Sequence, residues 1–299
     1  MKVLIRKSKY AYTPEAYAYE SFLKSKKIEV VLSEKYEDIN VFDVCIDFMG
    51  FIPFWKADIR DSRIAYIHEY HSLSTPPYPK FKDIVKRYLS KKPAGRIFLN
   101  EVVKENLHFG NNVPFIFRDM GIDKGLFNVG NKNADFDIIY CGSIDGRNGL
   151  VEEIVRLANL GLMVLVVGKL SDESYKKLQH NYITLIGAVS RHDLPAYYAK
   201  ARFGLNFTPD VYPYNIQTST KVLEYCAAGL GVISNKYAWV SKFAEERKAN
   251  FLYSHMLLSK SDVFSFDFVT PNVFDLEWHN LLERVDFHGF LQQVKNRVA

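Results

Sequence analysis

Cysteine is scarce in this sequence. Cys45, Cys141 and Cys226 are odd in number, far apart and free of CxxC spacing. That pattern argues against a disulfide framework and against a cysteine zinc site, and it fits a reducing compartment. Long apolar runs are missing too. The N-terminal run covers only Val3 to Ile5, too short for a signal peptide. No stretch approaches the ~20 apolar residues of a membrane span. The expectation is a cytoplasmic protein, at most peripheral on the inner face of a membrane. Glycine does not occur before Gly50, so the first strand lacks GxGxxG and a Rossmann oxidoreductase is disfavoured. No GxSxG elbow and no P-loop GKS/T is present. Internal repeats and low-complexity tracts are absent as well.

What is there is apolar and aromatic. Hydrophobic residues make up 48% of the 299 positions and aromatics 15%, enough for two packed cores and too apolar for disorder. The formal charge of +5 is mildly basic. It suits an anionic small molecule such as a diphosphate, or an anionic membrane surface, and falls short of a nucleic-acid footprint. The charge is concentrated. Between Lys80 and Arg96, Lys80, Lys82, Lys86, Arg87, Lys91, Lys92 and Arg96 stand against Asp83 alone. Phe81, Ile84, Val85, Tyr88 and Leu89 lie among them. A basic amphipathic helix of this kind is either a membrane-surface or anionic-partner element, or a solvated helix face.

Short apolar runs alternate with amphipathic stretches throughout. Val3–Ile5, Glu29–Leu32, Val41–Phe48, Arg63–Ile67 and Arg96–Asn100 have the character of strands; Pro14–Lys26 and Phe81–Leu89 that of helices. The polar stretch from Asn128 to Ala134 is the best domain boundary. After it the rhythm restarts, with strands at Asp137–Tyr140, Met163–Val167, Ile183–Ile186, Phe203–Phe207 and Gly231–Ser234. Between them fall helices at Gly149–Leu157, Asp172–Leu178, Leu194–Lys200 and Thr220–Ala228. A single long helix is predicted over Asp275–Val298. Two parallel α/β halves follow, 1–127 and 135–274, with 275–299 as a terminal segment, and the default ligand site lies beyond the strand carboxyl ends between the halves.

Three segments have the residue types for binding a phosphate ester. In Ile138–Leu150 a strand runs into a turn carrying Gly142, Ser143, Gly146, Arg147 and Gly149, then into a helix. Glycines let backbone approach a phosphate, a helix N-terminus favours an anion, and Arg147 offers a fork for a diphosphate; an ordinary βα turn is the alternative. In Gln217–Gly229, Thr218, Ser219, Thr220 and Lys221 fall where a helix begins. The hydroxyls can cap that helix and face a phosphate. Lys221 and Glu224 share a helix face, so they form either a plain salt bridge or a pair that addresses a diphosphate and a ribose. In Ile183–Tyr198, Gly187 leaves room for a flat group and the backbone at Val189 is placed to read a base edge.

These segments resemble the C-terminal half of the group 1, mostly retaining, glycosyltransferases of the GT-B fold. The resemblance rests on Cys141-Gly142-Ser143, Ile186-Gly187, Asp193-Leu-Pro-Ala-Tyr-Tyr198, and Lys221 with Glu224-Tyr225 and Gly229 through Val232, in that order. Upstream, Arg118–Phe127 resembles the family's "GvDxxxF" exit from the first domain, and Trp278 the final "W" segment. The match spans roughly residues 115–299. It implies an α/β protein of two Rossmann-like domains facing across a cleft, the first binding the acceptor and the second the nucleotide sugar. The C-terminal helix is expected to cross back to the first domain.

The resemblance further implies that Arg147 and Lys221 bind the donor diphosphate, that Glu224 holds the ribose, and that His68, in Tyr66–Thr75, lines the donor sugar, with His71 as competitor. The donor is expected to be a UDP-sugar, with GDP-sugar behind it and no metal. The acceptor is a glycan or lipid-linked sugar, the family's commonest setting being cell-envelope polysaccharide assembly. Nucleic acid is not an expected partner. The chain departs from the pattern at Ser143 (often Arg), Ile216 (often a Glu for the sugar) and Gly231 (often Pro). Lys7–Glu15 takes the place of a glycine-rich loop. Asp135-Phe-Asp137 spells a DxD, a metal motif of another glycosyltransferase fold, but opens a strand here. A sugar-nucleotide epimerase of the same architecture and a non-catalytic nucleotide-sugar binder are the alternatives.

Overall fold

The structure, a computed structural model, describes residues 1–7, 13–34, 41–48, 51–55, 63–130 and 134–298. The chain divides into two compact units, Met1–Gly121 with Leu276–Ala299, and Ile122–Asp275. Residues 122–127, grouped with the first half on sequence grounds, therefore belong to unit 2. Residues 131–133 of the polar boundary lie outside the described residues.

Unit 1 alternates strands and helices: β1 (Lys2–Arg6), α1 (Pro14–Ser25), β2 (Glu29–Ser33), β3 (Val44–Phe48), β4 (Ala65–Tyr70), α2 (Pro79–Leu89), β5 (Gly95–Phe98), α3 (Glu101–Leu107) and β6 (Phe115–Phe117). The strands form one parallel sheet in the order β2-β1-β3-β4-β5-β6. Parallel strands covered on both faces read as continuous apolar runs rather than alternating ones. Val3, Leu4 and Ile5 are accordingly all buried, and so is every residue of β4. The strand order reverses between β1 and β3, where Arg6 donates to Asp47 at 2.7 Å.

The predicted long C-terminal helix is two helices, α10 (Trp278–Arg284) and α11 (Phe287–Asn296). Asp286 breaks it. Its backbone adopts φ 47, the left-handed region, and its carboxylate accepts from Gly289 N–H at 3.1 Å, capping α11. Both helices belong to unit 1. Phe287 meets Tyr19 at 4.4 Å between ring centroids, and Trp278 lies edge-on to the same ring at 6.4 Å. Gly121 faces Trp278 so closely that a Cβ there would stand 2.2 Å from the indole.

Unit 2 runs β7 (Phe136–Cys141), α4 (Leu150–Asn159), β8 (Val164–Val167), α5 (Asp172–Lys177), β9 (Ile183–Ile186), α6 (Leu194–Tyr198) and β10 (Ala201–Asn206). It continues with α7 (Thr220–Ala228), β11 (Gly231–Ser234), α8 (Ala238–Glu246), β12 (Leu252–Tyr253) and α9 (Lys260–Ser265). Its parallel sheet has the order β9-β8-β7-β10-β11-β12, the doubly wound arrangement whose switch point falls between β7 and β10. Helices pack one apolar stripe on the sheet. In α4 the buried stripe is Leu150, Ile154, Leu157 and Ala158, at helical spacing.

Tyr225 of α7 ties the switch point together. Its hydroxyl accepts from Cys141 N–H at 3.2 Å and donates to the Leu205 carbonyl at 3.1 Å. Gly204 makes room for it, since a Cβ there would stand 2.3 Å from the ring. Asp137 of the DxD is structural: its carboxylate accepts from Met163 N–H and from Lys260, both at 2.9 Å.

Overpacking a filled site commonly costs a few kcal/mol. Gly121→Ala is expected to destabilise the protein by about 2 kcal/mol through displacement of Trp278. Urea unfolding followed by tryptophan fluorescence checks it, and an unchanged midpoint would contradict the close packing.

Candidate functional site

The carboxyl ends of β7, β8 and β10 bring most of the residues singled out in the sequence together. Cys141 leads into Gly142, which has φ 134, a conformation glycine adopts without strain. Gly168 follows β8 with φ 157, and a Cβ on it would stand 2.0 Å from the Gly142 carbonyl oxygen. Backbone lies directly against backbone there. The turn is fastened by Tyr140, whose hydroxyl donates to the Ser143 carbonyl at 2.7 Å. Asp145 holds it from the other side, accepting from Ser171 N–H at 2.8 Å and from the Ser174 hydroxyl at 2.6 Å.

Arg147 reaches across the switch point and donates to the Phe207 carbonyl, just past β10, at 3.2 Å. Lys221, in the first turn of α7, lies over the glycine turn: its Nζ would be 3.1 Å from a Cβ on Gly142. It also sits 5.5 Å above the Tyr140 ring. Burial, with Arg147 beside it, pulls Lys221 down to about 8, against the opposing field of Glu224 and Cys141. Neither Arg147 nor Lys221 forms an ion pair with a carboxylate among the described residues. Two cations with no ion pair among the described residues, at a glycine turn and a helix start, are stabilised by an anion.

Ser219 caps α7, accepting from Val222 N–H at 3.5 Å, while its own hydroxyl donates to Asn206 at 2.8 Å. Thr218 and Thr220 flank that cap, Thr220 exposed. Ser143 is exposed beside Gly142. Gly187 lines a hollow of about 290 Å³ together with Gly168, Lys169, Ser171 and Tyr175. A Cβ on Gly187 would meet nothing within 4 Å. Val189 follows, partly exposed, on the same loop.

Glu224 is placed differently from the simple Lys221 salt bridge. One carboxylate oxygen accepts from the Tyr198 hydroxyl at 2.7 Å, and the other lies 3.3 Å from Arg191. Arg191 also pairs with Asp123. This Asp123–Arg191–Glu224 chain is invisible in the sequence, because its members are brought together only by the fold. Gly168-Lys169 was equally silent, a single glycine after an apolar run. Beside Ile216, Asn215 Oδ1 and Gln217 Nε2 are buried without a hydrogen-bond partner among the described residues.

In unit 1, His68 does not stand at a strand end. β4 runs on to Tyr70, so His68 is fully buried within the strand, its Nδ1 3.3 Å from the Tyr70 hydroxyl. His71 is the residue just beyond β4, and its Nδ1 has no partner among the described residues. Burial lowers the His71 pKa, with the Glu15, Arg118 and Lys86 charges acting on it. Residues 8–12 of the expected acceptor loop lie outside the described residues.

Next to His68, Glu69 carries a buried charge network. It accepts from Tyr19 at 2.7 Å and pairs with Arg118 at 2.8 Å, while Glu15 lies 3.5 Å from the same guanidinium. Burial pushes Glu69 up to about 7 against the pull of Arg118. The folded chain thus holds this proton to higher pH than the unfolded chain. Its contribution is full below about 4.5 and is lost as pH rises through about 7. The described residues contain no group of three His, Cys, Asp or Glu able to hold a metal ion.

Two outcomes are expected. Arg118→Leu leaves Glu15 and Glu69 buried without their cation and should cost about 3–5 kcal/mol. The loss should be larger above the Glu69 value of about 7 than below it. Thermal unfolding across pH checks both. Lys221→Met removes a cation held beside Arg147 and should raise the stability of the free protein by about 1 kcal/mol near neutral pH. The gain should shrink as pH rises from about 8 toward 10.5, where the wild-type lysine is neutral when folded and still protonated when unfolded. A pH-independent difference between the two would count against this field.

No protein-family model matches the sequence, and no curated protein matches it either. Solved structures do. The chain is similar to AviGT4, a glycosyltransferase involved in avilamycin A biosynthesis, with a TM-score of 0.66 at 12% identity over 99% of each chain. Weaker likeness, with a TM-score of 0.48 at 10% identity, extends to a UDP-N-acetylglucosamine 2-epimerase from Rickettsia bellii, over 100% of this chain and 95% of that one. An α1,3-fucosyltransferase with GDP has the same TM-score and identity over 99% and 90%. The chain has the GT-B fold, two Rossmann-like α/β units with parallel sheets.

Proposed function

We propose that the protein is a glycosyltransferase whose unit 2 binds a nucleoside-diphosphate sugar, a UDP-sugar first among them. The observation that supports this most is the pairing of Arg147 and Lys221 at the Gly142 turn, two cations in no ion pair with a carboxylate among the described residues. A diphosphate lies along the turn and the start of α7, receiving charge from Arg147 and Lys221 and hydrogen bonds from Thr218 and Thr220. The base enters the hollow beside Gly187 and meets the backbone at Val189. Glu224, already oriented by Tyr198 and Arg191, accepts from the ribose.

Transfer breaks the bond between the anomeric carbon and the diphosphate oxygen and forms one from that carbon to an acceptor hydroxyl oxygen, whose proton passes to the departing diphosphate. Both electrons leave on the diphosphate, where Arg147 and Lys221 meet the growing charge. Their positive charge does the work that a divalent ion does elsewhere, so the reaction is proposed to proceed without metal. Where the family's sugar-contacting glutamate is replaced by Ile216, the neighbouring Asn215 and Gln217 supply an acceptor and a donor for sugar hydroxyls. The acceptor, a glycan or lipid-linked sugar of cell-envelope polysaccharide assembly, binds unit 1, near His71.

Thermal unfolding against UDP, GDP, ADP, dTDP and CMP, with and without EDTA, tests this reading. A ligand present at ~100 times its Kd adds about 2.7 kcal/mol to the folded state. One nucleoside diphosphate should raise the melting temperature selectively, without regard to EDTA, and Lys221→Ala should abolish the rise. The affinity should fall as pH climbs through about 8, where Lys221 loses its proton. A flat response to every nucleotide removes the reading. Interconversion of the sugar nucleotide without an acceptor would mark an epimerase, and binding without turnover a non-catalytic binder.

A further inference from the structure

Two stretches distant in sequence pair through their backbones on unit 1, and both carry exposed aromatic rings. Segment 51–55 runs antiparallel to the exit of α2: Phe54 N–H donates to the Leu89 carbonyl at 2.9 Å, and Lys91 N–H to the Ile52 carbonyl at 2.8 Å. Phe54, Trp55, Tyr78, Phe81 and Tyr88 are each more than half exposed, up to 77% at Tyr78. Phe81 and Tyr88 are seven apart, two turns of α2, and therefore share a face. Phe54 and Trp55 pack edge to face at 5.1 Å.

The cations of this region sort into two groups. Arg87 points inward, donating to the carbonyls of Leu107 and Asn106 at 2.9 and 3.0 Å. Lys86 lies 3.8 Å from the buried carboxylate of Asp83, and burial lowers its pKa. Both are therefore structural. Lys80, Lys82 and Lys92 are exposed. In residues 51–55 and 78–92 the one carboxylate is Asp83, which is buried. The two described segments thus present aromatic rings and lysines, and neither exposes a carboxylate of its own.

We propose that this face is a docking surface for an anionic lipid bilayer. Rings that are apolar in body and polar at the tip, as in Tyr and Trp, settle at the headgroup boundary, and lysines reach up to anionic phosphates. A protein partner fits less well, because protein interfaces are depleted in lysine. Two signals, inserted apolar area and surface charge, are what stable membrane anchoring takes. Docking here is independent of the proposed transferase reaction, and it would bring unit 1 to a lipid-linked acceptor.

Vesicle flotation of the full chain without nucleotide tests it. The wild type should float with vesicles of phosphatidylcholine and phosphatidylglycerol, not with phosphatidylcholine alone, and less as salt rises. Lys80→Glu with Lys82→Glu should lower the partition coefficient about five-fold or more per charge. Phe81→Ser with Tyr88→Ser should abolish flotation. Both pairs lie on the surface and should melt as the wild type does. Tryptophan emission should shift to the blue on vesicles, and the shift should be lost in Trp55→Phe, which still floats. No flotation with anionic vesicles at low salt overturns the proposal. So does equal flotation of the wild type and both correctly folded double variants. A dimer in sedimentation that the same aromatic substitutions dissolve would assign the face to a second copy of the chain instead.

Discussion

Unit 2 depends on a contact between two pieces of backbone. Where β7 and β8 end, Gly168 lies against the Gly142 carbonyl with no space for even one more carbon atom. A side chain at either position would part the strands or block the turn. Because there is none, the polypeptide itself forms the floor, and the charged and polar side chains stand around it. Lys221 comes from α7, Arg147 from the loop before α4, and the Tyr225 hydroxyl joins the ends of β7 and β10 beneath them. The sheet order puts all of these at the switch point, where the helices diverge and leave a crevice.

Two buried charge arrangements differ between the units. In the unit 1 cluster cation and carboxylates face each other: Arg118 serves Glu69 and Glu15, with the Tyr19 hydroxyl and the face of Trp278 beside it. Such a cluster contributes specificity of packing, since each member is costly to bury alone. In unit 2 Arg147 and Lys221 form no ion pair with a carboxylate among the described residues, and burial with Arg147 beside it holds Lys221 well below its ordinary pKa. Holding Lys221 there costs stability, which is one ground for the proposal that this turn takes an anionic ligand.

Much of this was legible in the sequence wherever the cause is local. The strands of unit 2, the Gly142 turn, the Ser219 cap and the Lys221 position all follow from a short run of neighbours. Legibility failed where the cause is distant. The extent of β4 is set by its pairing with β3 and β5, so the end of the strand, and with it the position of His68, could not be placed from the apolar run alone. Glu224 shares a helix face with Lys221, yet it is captured by Arg191 and Tyr198 from another segment. The inward turn of Lys86 and Arg87 depends on Asp83 and the end of α3, neither of which distinguishes them from Lys80 and Lys82 in the sequence. The break at Asp286 was hidden because aspartate inside an amphipathic pattern looks like a solvent-facing residue.

The chain leaves unit 1 at Gly121 and re-enters it only at Leu276, after all of unit 2. Phe287, Leu291 and Val294 are fully buried in unit 1. During synthesis, unit 2 emerges as one uninterrupted stretch and can close as soon as it is free of the ribosome. Unit 1 emerges first and waits. Its sheet must hold an open apolar face, with Gly95, Gly121 and Tyr19 uncovered, until α10 and α11 arrive. The order of emergence is therefore the reverse of the order of completion, and the interval between them is the time taken to translate the whole of unit 2.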